Sequence, residues 1–178
     1  MCMKVIDLSV TLNHRMPVYP GDPDVEIVEI HTLDKEGWNL RQMTITTHLG
    51  THVNVPYHMV KNGKNLDNYI LDRFFGPAMI FKNGMNFNKE TGIVFRDQNI
   101  DKKLVDLLIS NPPKFIGLSS KFEFNVEIEK LLLEHDIISF ENLANTEELP
   151  EKFIFYGVPL NIARSDGSPV RAFATIQD

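Results

Sequence analysis

The segment 48–58 reads His-Leu-Gly-Thr-His-Val-Asn-Val-Pro-Tyr-His and holds three of the six histidines of this 178-residue chain. Its histidines and Asn54 are separated by even numbers of residues, so in a strand, where side chains alternate, all four would share one face. A helix would also bring His48 and His52 together, but Pro56 and the β-branched neighbours oppose it. The pattern therefore predicts a strand with one face rich in possible ligands.

A bend is expected inside this strand. Four residues of straight strand span roughly 13 Å, which is too far for His48 and His52 to share an ion, and Gly50 is suited to bend the chain between them. Imidazole ligands suit zinc, iron or manganese in sites that also hold carboxylates. The segment thus predicts a metal site, the alternative being polar residues on the exposed face of a half-buried strand.

The composition is that of an ordinary folded protein, with 43% hydrophobic and 24% charged residues. The formal charge of -6 and the lack of a basic run argue against nucleic acid as a partner. No apolar stretch has the length of a membrane span and residues 1–10 do not resemble a signal peptide, so we expect no membrane association and a cytoplasmic location. The single cysteine, Cys2, is not expected to act in catalysis.

Alternating or continuous apolar runs predict the strands, and apolar residues at helical spacing predict the helices. Strands are predicted at 5–10, 25–31, 40–47, 78–81, 115–118, 137–140 and 153–159. Helices are predicted at 101–110 and 125–135, the first behind a capping Asp101. The arrangement predicts an α/β or α+β fold with a mixed sheet, in one domain that covers residues 1–178.

The segment 48–58 resembles the motif His-x-Gly-Thr-His-x-Asp-x-Pro-x-His of the cyclase family of metal-dependent hydrolases, which includes bacterial kynurenine formamidase. Further stretches match in family order, at residues 7–9 with 16–23, 140–143 and 166–172. The resemblance implies a single-domain swivelling β/β/α fold that assembles as a homodimer or homotetramer. It also implies hydrolysis of a small amide, often a formamide, by a metal-activated water.

The same resemblance implies the roles of individual residues. Metal ligands are expected at His48, His52, Asn54, Glu129 and Glu141. The last histidine of the motif, His58, is the expected general acid or base. Two of the ligand positions depart from the family, because Asn54 replaces an Asp that bridges two ions and Glu129 replaces a distal His. A neutral amide cannot supply an anionic two-oxygen bridge, so we expect one divalent ion, zinc or manganese, rather than two.

Glu129 can also be placed without the family. On a helical wheel it lies between Leu132 and Leu133, at the margin of the buried face. A buried carboxylate needs a cation, a proton or hydrogen bonds, although its stem could instead pack while its head reaches water. Asn54 removes one negative charge from the family's ligand set and Glu129 adds one, so the formal charge is unchanged. This balance suggests a rearranged metal site, the alternative being coincidence.

Other side chains have weaker assignments. Tyr19 and Tyr57 are candidates to line a substrate site, with core or interface packing as the alternative. Arg171 could bind a substrate carboxylate or form a salt bridge. The stretch 166–169 has the composition of a turn, and the family resemblance places it near the site. The remaining histidines are expected to be structural, namely His14, His31 and His135.

The leading hypothesis is therefore a metal-dependent amidohydrolase. The alternative, motivated by Asn54 and Glu129, is a family member that retains the fold but is catalytically impaired and acts as a small-molecule binding or assembly protein.

Overall fold

A computed structural model describes residues 3–177 of the chain, so the expectation for Cys2 lies outside the described residues. The strands are β1 (Met3–Asp7), β2 (Glu26–His31), β3 (Leu40–Thr44), β4 (His52–Asn54), β5 (Phe75–Ile80), β6 (Gly92–Phe95), β7 (Ile116–Ser119), β8 (Ser139–Leu143), β9 (Lys152–Tyr156), β10 (Gly167–Pro169) and β11 (Phe173–Gln177). The helices are α1 (Leu33–Glu36), α2 (Lys102–Ser110) and α3 (Val126–Glu134).

One mixed sheet carries nine of these strands in the order β1-β11-β9-β5-β6-β7-β8-β4-β10. The four neighbours β5, β6, β7 and β8 pair in parallel, and the remaining pairs are antiparallel. The strands β2 and β3 form a separate two-stranded hairpin. The predicted α+β class with a mixed sheet is confirmed.

Both longer helices begin where the sequence predicts, because an N-cap side chain binds the first free backbone amides. The Asp101 carboxylate accepts from the Leu104 amide at 2.9 Å, and Asn125 accepts from the amides of Glu127 and Ile128. The helices follow β6 and β7, and they supply the crossovers that parallel strands require.

Apolar side chains fill both faces of the central strands. One cluster, between the sheet and the two helices, includes Ile93, Ile116 and Leu132. The other contains Phe115 and Phe140, whose rings meet edge to face with centroids 5.4 Å apart. Because Ile116 and Phe115 are adjacent along the chain, the alternation of side chains places the two clusters on opposite faces.

The strand predicted over the histidine segment is wrong outside β4. Residues 47–50 form a turn, and a 3-10 turn occupies Pro56–His58 with its proline at the first position, where the missing N–H costs nothing. The strands at Gly92–Phe95, Gly167–Pro169 and Phe173–Gln177 were not predicted, and the turn expected at 166–169 is wrong for residues 167–169, which form β10. Gly92–Phe95 is a short apolar run of the kind that periodicity alone cannot assign. The other two contain polar residues, and they are strands because β10 pairs with β4 and β11 pairs with β1 and β9.

Among the described residues, no helix combines the length and the apolar character needed to cross a membrane.

Candidate metal centre

The strand β4 lies between β8 and β10, and this arrangement gathers the site. In the β4–β8 pairing His52 is opposite Glu141, and in the β4–β10 pairing Asn54 is opposite Gly167. Asp166 immediately precedes β10. The helix α3 contacts the 3-10 turn Pro56–His58 and brings Glu129 to the same end of β4. Residues distant in sequence thereby meet around one short strand.

The bend expected at Gly50 is confirmed by its left-handed φ of +60°. A Cβ atom there would lie 2.6 Å from Cδ2 of Leu12, so a side chain would be strained by the positive φ and would require Leu12 to move. The Gly50 carbonyl accepts hydrogen bonds from Asn142 Nδ2 at 3.0 Å and from His52 Nδ1 at 2.8 Å. The bend is therefore tied directly to the orientation of the second histidine.

His52 is held as a neutral imidazole with one free nitrogen. It is only 5% exposed, and this burial lowers its pKa to about 4. Because Nδ1–H donates to the Gly50 carbonyl, the lone pair lies on Nε2, which is 3.7 Å from Oε1 of Glu141. A neutral imidazole whose second nitrogen is fixed by a carbonyl is the usual form of a histidine ligand.

Asn54 joins the two glutamates. Its Nδ2 donates to Oε1 of Glu129 at 2.5 Å and also to Oε1 of Glu141. Asn54 is 1% exposed and Glu129 is 5% exposed, as expected for Glu129 on the buried margin of α3. The amide nitrogen thus lies between two carboxylates in a region with little access to water.

The paired carboxylates are electrostatically strained. Burial, followed by the charge of Glu129, raises the pKa of Glu141 to about 9. Within this network one carboxyl therefore retains a proton at neutral pH unless a cation is present. Such a pair is a site that a divalent ion would stabilise.

His48 lies at the centre of a second set of contacts. Its Nδ1 is 2.7 Å from Oδ1 of Asn54, and its Nε2 is 2.9 Å from Oδ2 of Asp166. Burial opposes protonation of His48, but the hydrogen bond and charge of Asp166 outweigh burial, so its pKa is raised. When the ring is protonated both nitrogens can donate, Nδ1 to the amide oxygen and Nε2 to the carboxylate.

His58 packs beside His48, with ring centroids 3.9 Å apart, and its Nδ1 is 3.7 Å from Oδ2 of Asp166. Thr47 Oγ1 donates to the other carboxylate oxygen at 2.9 Å. Hydrogen bonds from His48 and then from His58 hold the pKa of Asp166 well below its usual range. In the described part of the chain, His48, His58 and Asp166 are the only group of three or more histidine, cysteine or acidic side chains whose donor atoms all lie within 4.8 Å of one another.

The six residues predicted as ligands or as the acid or base therefore lie in one connected network, although their roles stay predictions. Asp166 was not among them, since its partner His48 is 118 positions away. The signal that could have found it was the acidic residue at the start of the fourth family-like segment.

The residues predicted to bind substrate are exposed, in contrast to the buried or half-buried residues of the ligand network. Tyr19 is 67% exposed and Tyr57 is 48% exposed. Arg171 is exposed and donates from Nε and Nη2 to the carboxylate of Asp7, at 3.0 Å and 2.5 Å. This pair occupies the guanidinium edge that would bind a substrate carboxylate, so the geometry favours the salt-bridge alternative for Arg171.

The other histidines lie outside the network. His135 Nδ1 donates to the Leu131 carbonyl at 2.8 Å, and His14 Nδ1 accepts from the Ile27 amide. The His31 ring contacts Trp38 edge to face.

Fold and site together define an α+β protein with a histidine and carboxylate centre beside a short strand of a mixed sheet. Residues 6–104 match the cyclase family, described as "Putative cyclase". The chain belongs to this family.

Individual relatives cover almost the whole chain. A kynurenine formamidase of Salinibacter ruber is 26% identical over 207 residues, covering 96% of each chain. An uncharacterized protein of Methanocaldococcus jannaschii is 30% identical over 196 residues, covering 98% of this chain and all of the other. The crystal structure of an isatin hydrolase bound to the product analogue thioisatinate superposes with a TM-score of 0.82 at 21% identity, covering 99% of this chain and 93% of that one. The last comparison establishes the shared fold.

Proposed function

We propose that this protein is a metal-dependent hydrolase that cleaves the C–N bond of a small amide, with a formamide as the leading substrate class. The observation that carries the proposal is that three histidines of one motif meet two carboxylates, Glu141 and Asp166, around β4. The kynurenine formamidase relative supports the choice of an amide.

The donor set fits a divalent cation. His52 presents a neutral Nε2, and the buried pair Glu129 and Glu141 lacks a cationic partner among the contacts described. Nitrogen and oxygen donors of this kind suit zinc or manganese. His48, His52 and Glu141 would hold the ion, with Asn54 and Glu129 as altered ligands.

The bound ion and the side chains of the site would have separate roles in hydrolysis. A bound divalent ion would lower the pKa of a coordinated water and would polarise the amide carbonyl. His58, whose side chain is 26% exposed, would accept a proton from the attacking water and return it to the leaving amine. Asp166 Oδ2 lies 3.7 Å from His58 Nδ1, beside the ring that it can help to orient.

A direct test is hydrolysis of N-formylated aromatic amines by metal-loaded protein, with metal-stripped protein and the His58→Ala variant as controls. We expect turnover that depends on added Zn²⁺ or Mn²⁺ and falls by roughly 10²–10⁴-fold without the histidine. Absence of metal-dependent turnover across a broad panel of small amides would contradict the proposal.

A second candidate function is supported by the Asn54 amide. Because its nitrogen already bridges Glu129 and Glu141, the site could persist as a hydrogen-bonded cluster in a small-molecule binding or assembly protein without turnover. Substoichiometric metal after purification without chelator, together with no hydrolysis, would favour this alternative.

The number of ions is a separate part of the proposal. We expect one per chain, since the amide nitrogen occupies the position between the glutamates and cannot bridge two dications. The variants Asn54→Asp and Glu129→His restore the family's ligands, and only the double variant does so without changing the formal charge. The double variant should approach two ions per chain by elemental analysis, and a folded double variant that still binds at most one would show that the backbone geometry has also diverged.

A further inference from the structure

Asp166 makes contacts that the ligand set does not account for. One carboxylate oxygen, Oδ2, lies 2.9 Å from His48 Nε2, and the other accepts from Thr47 Oγ1 at 2.9 Å. The residue is fixed by its position before β10, whose Gly167 pairs with Asn54. Asp166 is therefore built into the sheet beside the site, and its orientation is determined from both sides.

His48 needs such support because it is not on a strand. It lies in the turn 47–50, so the backbone alone fixes its ring less firmly than β4 fixes His52. The ring packs over Gly167, where a Cβ atom would lie 2.8 Å from Cε1 of His48. Two consecutive residues thus support the His48 ring: Asp166 holds it by a hydrogen bond, and Gly167 leaves the space that it fills.

The hydrogen bonds also determine which nitrogen of His48 can bind a cation. An ionised carboxylate only accepts, so Nε2 must carry the hydrogen that Asp166 receives. The other nitrogen, Nδ1, faces Oδ1 of Asn54 at 2.7 Å. The Asn54 side-chain amide cannot flip to exchange its nitrogen and oxygen, because its Nδ2 donates to Glu129 and Glu141. Nδ1 of His48 and Oδ1 of Asn54 are consequently adjacent potential metal ligands, joined by a hydrogen bond that a cation would replace.

We propose that Asp166 is a positioning residue of the metal centre, which orients His48 so that Nδ1 binds the cation. This inference rests on the proposed function and deepens it. Metal-binding histidines commonly donate their second N–H to a carboxylate, which fixes the ring and its tautomer, and loss of that partner costs about 10–100-fold in metal affinity or activity. Asp166 acts through His48 and is not itself a ligand.

A double-mutant cycle on metal affinity tests this role. The affinity for Co²⁺ is measured by competition with a chelating indicator for wild type, Asp166→Ala, His48→Ala and the double variant. We expect Asp166→Ala to weaken Co²⁺ binding by about 10–100-fold. In the His48→Ala background the same change should have little further effect, because the residue through which Asp166 acts is absent. Losses that multiply would show that Asp166 acts independently of His48, and would overturn the positioning role.

Graded variants separate orientation from general stability. Asp166→Asn keeps an oxygen that can accept from His48, so it should retain much of the affinity that Asp166→Ala loses. Thr47→Val removes only the hydroxyl that orients the carboxylate and should cause a smaller loss. Asp97→Asn is the matched surface control, since Asp97 pairs with Arg96 at an exposed position, and it should leave Co²⁺ affinity unchanged.

The outcomes distinguish this inference from the proposed function. A wild-type protein that binds Co²⁺ and hydrolyses amides, with an Asp166→Ala variant of equal affinity, overturns the positioning role alone. A folded wild-type protein that binds no Co²⁺ overturns both. Circular dichroism and thermal unfolding of each variant verify that the affinities compared are those of folded protein.

Discussion

Raising the pH should destabilise the metal-free protein, because Glu141 is buried beside a second carboxylate. Its pKa is raised from 4.5 to about 9 by burial and then by the charge of Glu129. Between these two values the folded state holds a proton that the unfolded chain releases. The associated stability is fully present below the unfolded pKa and is lost as the pH rises through the folded one.

The size of the effect follows from one proton. A single proton bound on folding gives a slope of about 1.4 kcal/mol per pH unit over that window. Between pH 6 and pH 8 the Glu141 site should therefore cost the metal-free protein about 3 kcal/mol of unfolding free energy. This is a large part of the unfolding free energy of a typical folded domain, which is about 5–15 kcal/mol.

The matched variant is Glu141→Gln, which keeps an oxygen to accept from Asn54 but cannot ionise. Urea unfolding of metal-stripped wild type and variant is measured at pH values from 6 to 8, and the difference in unfolding free energy is plotted. Contributions from groups common to both proteins cancel in that difference. We expect wild type to lose stability relative to the variant as the pH rises, and saturating Zn²⁺ to reduce the dependence. A difference that does not change with pH would refute the strained carboxylate pair.

Three further changes give simpler expectations. His52→Ala should lower metal content with little change in circular dichroism, and unchanged content would remove His52 from the ligands. Gly50→Val should cost about 1–3 kcal/mol in urea unfolding, because it forces a β-branched residue into positive φ and against Leu12, whereas a change below about 0.5 kcal/mol would refute the bend. Arg171→Gln should leave KM within about twofold in the amide assay, as expected for an exposed pair with Asp7. A large rise in KM would instead assign Arg171 to the substrate.

Local signals predicted the two longer helices well but missed the short α1, and they predicted the strands unevenly. Asp101 and Asn125 mark helix starts because capping is a property of a few neighbouring residues. Strands β6 and β7 are both fully buried and lack the alternation of a half-buried strand, so only the weak signal of a short apolar run was available, and it identified β7 but not β6. The histidine segment shows the converse error, since even spacing was right for His52 and Asn54 but did not extend to His48, beyond the bend.

The site shows the same division between local and long-range information. The motif placed its three histidines and Asn54 together in sequence, and the family resemblance added Glu129 and Glu141. The role of Asp166 depends instead on the pairing of β4 with β10, which joins segments more than 100 positions apart. No periodicity within either segment encodes that register.

The two departures from the family pattern are coupled because the side chains touch. Asn54 donates to Glu129 at 2.5 Å, so the residue that lost a charge is hydrogen-bonded to the residue that gained one. Returning Asn54 to Asp alone would place a third carboxylate against Glu129 and Glu141 and remove their donor. Returning Glu129 to His alone would leave the amide with one carboxylate partner and reduce the negative charge available to a cation. Each single change therefore creates a mismatch that the other corrects, and their effects on metal binding should not be additive. A matched exchange of this kind is expected if the chain kept a functional centre, whereas independent loss of function gives no reason for the two changes to meet.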